Sequence, residues 1–337
     1  MSNRRPSFFA HLHPPTIPAR EVRPFYTFGL GGISLLLFLV LGITGVIEMF
    51  LYVPTPEGAH DSIRQITYLA PYGWLLRNMH FWAGQLMVGT VILHMARVVL
   101  SGGYKARRLN WLIGVALLFL TMVLNFTGFV LRWDQDTAWA LMVGTNLIKS
   151  IPGIGTTLHD FLIGGETVGA PALLRFYTWH VLALALVSAV LTTWHVFRVR
   201  RDGGISHSKR TPRAGREQLV RIEIVAMFFT LAALFALSLL ADAPLGPPAD
   251  PNALIAEPKA PWFFLWIQEL LRVASPFLAG ILVPVLILLV LSLLPYALDR
   301  SEEGVALWFN KQGRVAQIVF LIILLGAIAL TLRGVLR

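Results

Sequence analysis

Cysteine is absent from all 337 residues. That excludes disulfides, thiolate metal ligands, iron–sulfur clusters held by this chain and thioether-linked haem. Metal chemistry, where there is any, falls to histidine. Charge is also scarce: Asp, Glu, Lys and Arg make up 14% of the chain, against about 25% in soluble domains. With 56% of residues hydrophobic, no room is left over for a soluble domain. The first twenty residues carry charge but no compact apolar run before a small-residue cleavage site, so no cleaved signal peptide is expected. The net charge of +10 sits between apolar runs, which points to membrane topology and away from a nucleic-acid partner.

What the chain has is a series of apolar runs of helix length, each long enough to cross a hydrocarbon core about 30 Å thick. Seven crossings are expected, near 28–51, 73–100, 109–131, 172–199, 222–240, 277–294 and 315–332. The fold class is therefore all-α: a polytopic membrane protein with a four-helix bundle and three further transmembrane helices. The 132–169 connection, punctuated by Gly and Pro, predicts two short helices at the membrane surface. A short amphipathic piece is expected before the sixth crossing. The N-terminus, Lys105 to Arg108 and Arg198 to Arg221 are basic and fall on one side of the odd-even count, which marks the cytoplasmic side. The Pro-rich loops fall on the other.

Two of the runs carry paired histidines. His80 and His94 are fourteen residues apart, which brings a helix almost back to the same face after about 21 Å. His180 and His195, fifteen apart, repeat the device over about 22.5 Å. On the expected topology His80 and His180 share an outer level and His94 and His195 an inner one. Ionisable groups inside a membrane are functional candidates by default, although a single histidine there is more often a structural hydrogen-bonding group. Two facing imidazoles per level suit axial ligation of a planar iron porphyrin from both sides, with no open position for oxygen. The expected cofactors are two b-type haems, with all four histidines as metal ligands. Gly31 and Gly45, and Gly114 and Gly128, share the fourteen-residue spacing, and small residues let helices or flat ligands approach closely.

The stretches FGLGGISLLLF, GWLLRNMHFW, HMARVVLSGGYKARRLNW, FTGFVLRWDQ and VGAPALLRFYTWHV, with the His180/His195 pair, together resemble the cytochrome b/b6 family. ADPNALIAEPKAPWFF and the last three crossings resemble its C-terminal part, called subunit IV where it is a separate chain. The resemblance implies a basic N-terminal segment (1–27), a b6-like di-haem bundle (28–215) and a subunit IV-like unit (216–337). It also implies quinol oxidation at an outer pocket, with one electron passing to a Rieske iron–sulfur partner and the other crossing through both haems to an inner quinone site. A c-type cytochrome or other acceptor subunit, a homodimeric complex and the inner (plasma) membrane of a prokaryote follow from the same likeness.

By residue, the resemblance makes Trp133, Asp134 and Gln135, with the short helix that follows, one wall of the outer pocket, and Pro261, Trp262 and Phe263 another. Lys105 and Arg200 stand where basic groups meet quinone or haem propionates. Arg77, Arg97 and Arg108 are further propionate partners or, equally, interface anchors. The chain departs from the family in three places. Arg132 replaces a proline beside the outer pocket. Ala260-Pro261-Trp262-Phe263 stands for Pro-Glu-Trp-Tyr, so the glutamate and tyrosine of quinol oxidation are missing, and Asp134, Asp136 or Glu269 is left as proton acceptor. Gly29 replaces the cysteine that tethers an extra haem in b6 proteins, so no covalently attached haem is expected. An anchor that passes quinol electrons to another respiratory enzyme without bifurcation is the alternative. A haem-free transporter or scaffold is the reading from a different class.

Overall fold

The computed structural model describes residues 15–19, 21–202, 212–250 and 259–337. Most of the basic N-terminal segment and all of the 203–211 loop, on which the topology partly rests, lie outside the described residues.

Among the described residues, seven helices are long and apolar enough to cross a membrane: Leu30–Met49, Gly73–Leu100, Arg108–Val130, Ala170–Arg201, Arg216–Leu240, Phe277–Leu298 and Arg314–Leu336. Only 6% to 33% of each apolar window is buried within the protein. Phe228, Phe229, Ile322 and many others point outward, which is stable only where lipid rather than water surrounds them. The chain is a multi-pass membrane protein.

The first and second spans pack along their length, and Leu37, Ala83 and Leu234 join them to the fifth. A second cluster, including Val99, Trp111, Leu291 and Phe320, fastens the sixth and seventh spans to the bundle. There the Trp111 indole donates to the Leu291 carbonyl at 2.7 Å, satisfying a polar group that lipid could not.

The 132–169 connection forms the two expected short helices, Gln135–Lys149 and Gly155–Ile163. The first starts at a capping box in which Asp134 accepts from the Thr137 amide and the Thr137 hydroxyl accepts from the Asp134 amide. The expected amphipathic piece is Trp262–Leu271. Two features of the connections were not expected. Ala59–Tyr68 is helical inside the Pro-rich loop, with Ala59, His60, Ser62 and Ile66 on its buried face. Thr16–Pro18 also pairs antiparallel with Arg213–Gly215, Ile17 opposite Ala214, and so closes the basic end of the bundle.

The fourth span is not uniformly α-helical: Trp179–Leu184 forms a π turn. At 100° per residue, fifteen residues would carry His195 about 60° round from His180, and fourteen would leave about 40° the other way. A π turn inserts roughly one residue without advancing the α-helical phase. The odd spacing is therefore absorbed at His180 itself.

Candidate functional site

The ring centroids of His80 and His180 are 6.4 Å apart, with the planes at 72°. Two imidazole nitrogens each about 2 Å from one metal stand about 4 Å apart, and the ring centres lie roughly 2 Å further apart in total. The observed separation meets that requirement. Thr44 Oγ1 lies 2.8 Å from His80 Nδ1, and Thr127 Oγ1 lies 3.0 Å from His180 Nδ1. Each hydroxyl spends its single proton on a carbonyl one turn back, Val40 at 2.7 Å and Val123 at 3.0 Å. Toward the ring it can therefore only accept, so Nδ1 carries the hydrogen and Nε2 keeps a lone pair.

Each histidine lies against one of the four glycines. A Cβ on Gly45 would stand 3.1 Å from His80 Cε1, and one on Gly128 2.7 Å from His180 Cε1. At the other level the distances are 3.3 Å from Gly31 to His94 and 3.5 Å from Gly114 to His195. The glycines thus make room first for the imidazoles. The space for a flat ligand follows from that.

His94 and His195 line a cavity of about 920 Å³ together with Gly31, Gly114, Arg97 and Arg200. Arg97 Nη2, Asn110 Oδ1, Ser188 Oγ and His195 Nδ1 are buried around it without hydrogen-bond partners. Unpaired buried polar atoms are rare in finished interiors, so they mark a place completed by something with polar edges. Among the described residues no three His, Asp or Glu side chains gather as a metal site. Two imidazoles suffice only for a metal that brings its other ligands with it, which is the donor set of a bis-histidine haem. The residues present fit that group at both levels.

The basic residues divide. Arg97 lines the cavity, its Nε donating to the Tyr26 carbonyl at 2.9 Å and its guanidinium 4.3 Å above the Tyr26 ring. Burial pushes the Tyr26 phenol up, against the pull of Arg97. Lys105 is instead committed to Asp299 at 2.7 Å, with both side chains at most 1% exposed. Arg108 lies over Tyr296 and donates to the Arg300 carbonyl. Neither Lys105 nor Arg108 lines the cavity, so the structure does not bring them to the propionate role. Arg77 donates to the Ala243 and Pro244 carbonyls at 2.8 and 2.5 Å, holding the loop after the fifth span.

At the end of the bundle carrying the 132–169 connection, Trp133, Asp134 and Gln135 join the same loop. Trp133 takes φ +49° and its carbonyl accepts from Ala249 at 3.2 Å, while Gln135 exchanges side-chain bonds with the Asp250 backbone at 2.6 and 3.0 Å. Trp262 reaches Gln85 at 2.7 Å, Phe263 is buried, and the next residue, Phe264, packs on Phe126 at 5.8 Å. Asp134 does not suit the expected proton acceptor. One oxygen takes the Thr137 amide, and the other takes the Gly246 amide at 3.0 Å and Arg132 at 2.8 Å. Arg132 is correspondingly neutralised. Glu269 is paired with Arg272 at 2.9 Å and Arg333 at 3.1 Å. Asp136 is exposed. Sequence reasoning missed Thr44 and Thr127, although the repeated Thr-Gly dipeptides at 44–45 and 127–128 are visible.

Seven spans, the first four carrying two opposed imidazole pairs and their glycines, define a multi-pass helical membrane protein of the electron-transfer kind. The family model described as cytochrome b/b6/petB matches residues 18–203, and that described as cytochrome b (C-terminal)/b6/petD matches 248–337. Cytochrome b6 of Heliomicrobium gestii is 40% identical over 192 residues, covering 57% of this chain and 88% of that protein. Cytochrome b6 of Synechococcus sp. (strain JA-3-3Ab) is 41% identical over 184 residues, 54% of this chain and 85% of that one. A solved structure titled hyperthermophilic respiratory Complex III superposes with TM-score 0.82 at 24% identity, over 97% of this chain and 88% of that one. The chain belongs to the cytochrome b/b6 family, whose cofactor class is b-type haem.

Proposed function

We propose that the chain is the di-haem cytochrome b subunit of a membrane quinol oxidoreductase of the Complex III type, with a di-haem bundle over 28–215 and a subunit IV-like unit over 216–337. The observation that carries this is the matched set of two imidazole pairs, each ring lodged against a glycine of the first or third span. His80 and His180 hold the outer haem, and His94 and His195 the inner one. When bound, these groups supply two one-electron carriers between quinol oxidation at the outer side and quinone reduction at the inner side. Thr44 and Thr127 fix the tautomer of the outer imidazoles and leave Nε2 free. Arg97 and Arg200 place positive charge on the inner cavity, where propionates or quinone oxygens are anionic or strongly polar. The loop held by Arg77, Asp134 and Gln135 lies against one wall of the outer site, at Trp133, and 260–264 forms the other.

With no cysteine the chain holds no iron–sulfur acceptor itself, so that acceptor lies on another subunit. The family likeness supplies the rest of the reading: a Rieske iron–sulfur protein and a c-type cytochrome or other acceptor in a dimeric complex of a prokaryotic plasma membrane, with loop charge placing the N-terminus inside. The second reading, an anchor without bifurcation, draws on the ion pairing of Asp134 and Glu269, which takes two of the expected proton acceptors out of use. Quinol oxidation by the isolated complex, with and without an outer-pocket inhibitor, separates the two. Simultaneous reduction of the iron–sulfur partner and the b haems establishes bifurcation; reduction of one chain alone overturns it in favour of the anchor.

A further inference from the structure

One half-buried carboxyl has no part in this scheme. Glu48 stands near the outer end of the first span, one turn beyond Thr44, which meets His80, and Gly45, which makes room for the same ring. Its Oε1 is buried without a hydrogen-bond partner. The charge acting on it comes from the second span, where Arg77 stands one turn outward of His80. That guanidinium is shared: both terminal nitrogens donate to the Ala243 and Pro244 carbonyls, and Arg132, Asp134 and Tyr68 also act on it. From the fourth span come His180 and, one turn outward, Tyr177, stacked on Tyr52 at 5.4 Å. Beyond the fifth span comes Asp242, which Asn78 holds at 3.0 Å. Among the described residues, nothing donates to Oε1.

An ionised carboxylate with an unpaired oxygen in a low-dielectric setting is costly. Its balance between charged and neutral forms is then sensitive to any charge that changes nearby. The charge that changes nearby is the electron at the level of His80 and His180. We infer that Glu48 is the proton-binding group of the outer redox level: it takes up one proton when that level gains an electron and returns it on reoxidation. The step balances as oxidised haem, one electron from quinol, one carboxylate and one proton from the outer medium giving reduced haem and a carboxylic acid. Glu48 acts through the field at His80, so it is a positioning and proton-binding residue rather than one that touches quinol. The inference rests on the di-haem reading above.

The test is a redox titration of both haems in the whole complex, from about pH 6 to 9, for the parent and Glu48→Gln. One proton per electron shifts the reduction equilibrium tenfold per pH unit, about 59 mV for a one-electron couple. The parent outer haem should fall with pH toward that slope, and Glu48→Gln should flatten it while leaving the inner haem unchanged. An outer-haem slope identical in both proteins overturns the inference, since the propionates would then carry the proton. If Glu48→Gln fails to assemble, the parent's redox-difference infrared spectrum decides: a deuterium-sensitive carboxylic-acid band that appears on outer-haem reduction and moves in frequency in Glu48→Asp supports Glu48, and no such band, or one unmoved by Glu48→Asp, overturns it. Absence of b-haem bands in the parent would instead bring down the di-haem reading itself.

Discussion

A Cβ added to Gly128 would lie 2.7 Å from Cε1 of His180, whereas one added to Gly114 would lie 3.5 Å from Cε1 of His195. The first is a clash with a ring fixed by Thr127; the second is ordinary contact. Overpacking of this kind costs about 1–3 kcal/mol and displaces the offending ring. Gly128→Ala should therefore leave about one haem per chain by pyridine haemochrome assay, while Gly114→Ala retains two. Full haem content in Gly128→Ala would sink the argument that these glycines seat the imidazoles.

The histidine levels make a separable prediction. His195→Leu should abolish the inner haem and leave the outer one, because His80 and His180 meet each other one level away. The redox difference spectrum should lose one component of its b-type band. Loss of the outer component alone would invert the assignment of levels.

Thr127→Val keeps the shape of the side chain and removes the acceptor for His180 Nδ1. Partners of metal-bound histidines typically support affinity by about 10- to 100-fold, so haem retention at the outer level should fall by that order. The imidazole also becomes a poorer donor, which favours the reduced metal, so the midpoint potential of whatever haem remains should rise. An unchanged outer potential would show that the hydroxyl does not tune the ligand.

Asp134 is 0% exposed and holds Arg132, the Gly246 amide and the helix cap at once. Removing one partner of a buried pair leaves the other charge uncompensated, at a cost of about 3–5 kcal/mol. Asp134→Ala should lower thermal stability by that much, read from the temperature at which haem absorbance is lost. A change below about 1 kcal/mol would return Asp134 to consideration as a proton acceptor.

The seven crossings were legible because twenty-odd apolar residues in a row admit few other fates, and the surface helices because Gly and Pro bracket them. The histidine levels were legible from spacing, but the π turn at Trp179–Leu184 was not: it is a backbone answer to one extra residue, and periodicity assumes none. The Ala59–Tyr68 helix was hidden by the prolines of its loop, although Ala59, Ser62, Ile63 and Ile66 carry helical spacing. Lys105, Asp134 and Glu269, each given a role in the sequence, are found engaged with partners that the sequence around them does not fully disclose. Arg132 and Arg272 stand close by in the chain, but Asp299, the Gly246 amide and Arg333 lie between 64 and 194 residues away and are brought in only by folding. Glu48 shows the converse, a charge that looks ordinary at the end of a span and has one oxygen covered without a donor when the helices pack.

Tyr104 yields a prediction about alkaline pH. Its hydroxyl donates to Asp299 Oδ2 at 2.5 Å, on the same carboxylate that pairs with Lys105. Burial first, then this bond and the charge of Asp299, push the phenol well above its ordinary value. A group whose folded pKa is raised contributes stability that is present below its unfolded pKa, near 10, and is lost as pH rises beyond it. While the folded phenol stays protonated, each further unit costs up to about 1.4 kcal/mol. Stability of the complex, read as haem loss, should be flat from neutrality to about pH 10 and then fall. Tyr104→Phe should start lower, having lost the bond to Asp299, but decline less steeply, because it has no proton to lose. Parallel alkaline slopes in the two proteins would place the sensitivity elsewhere.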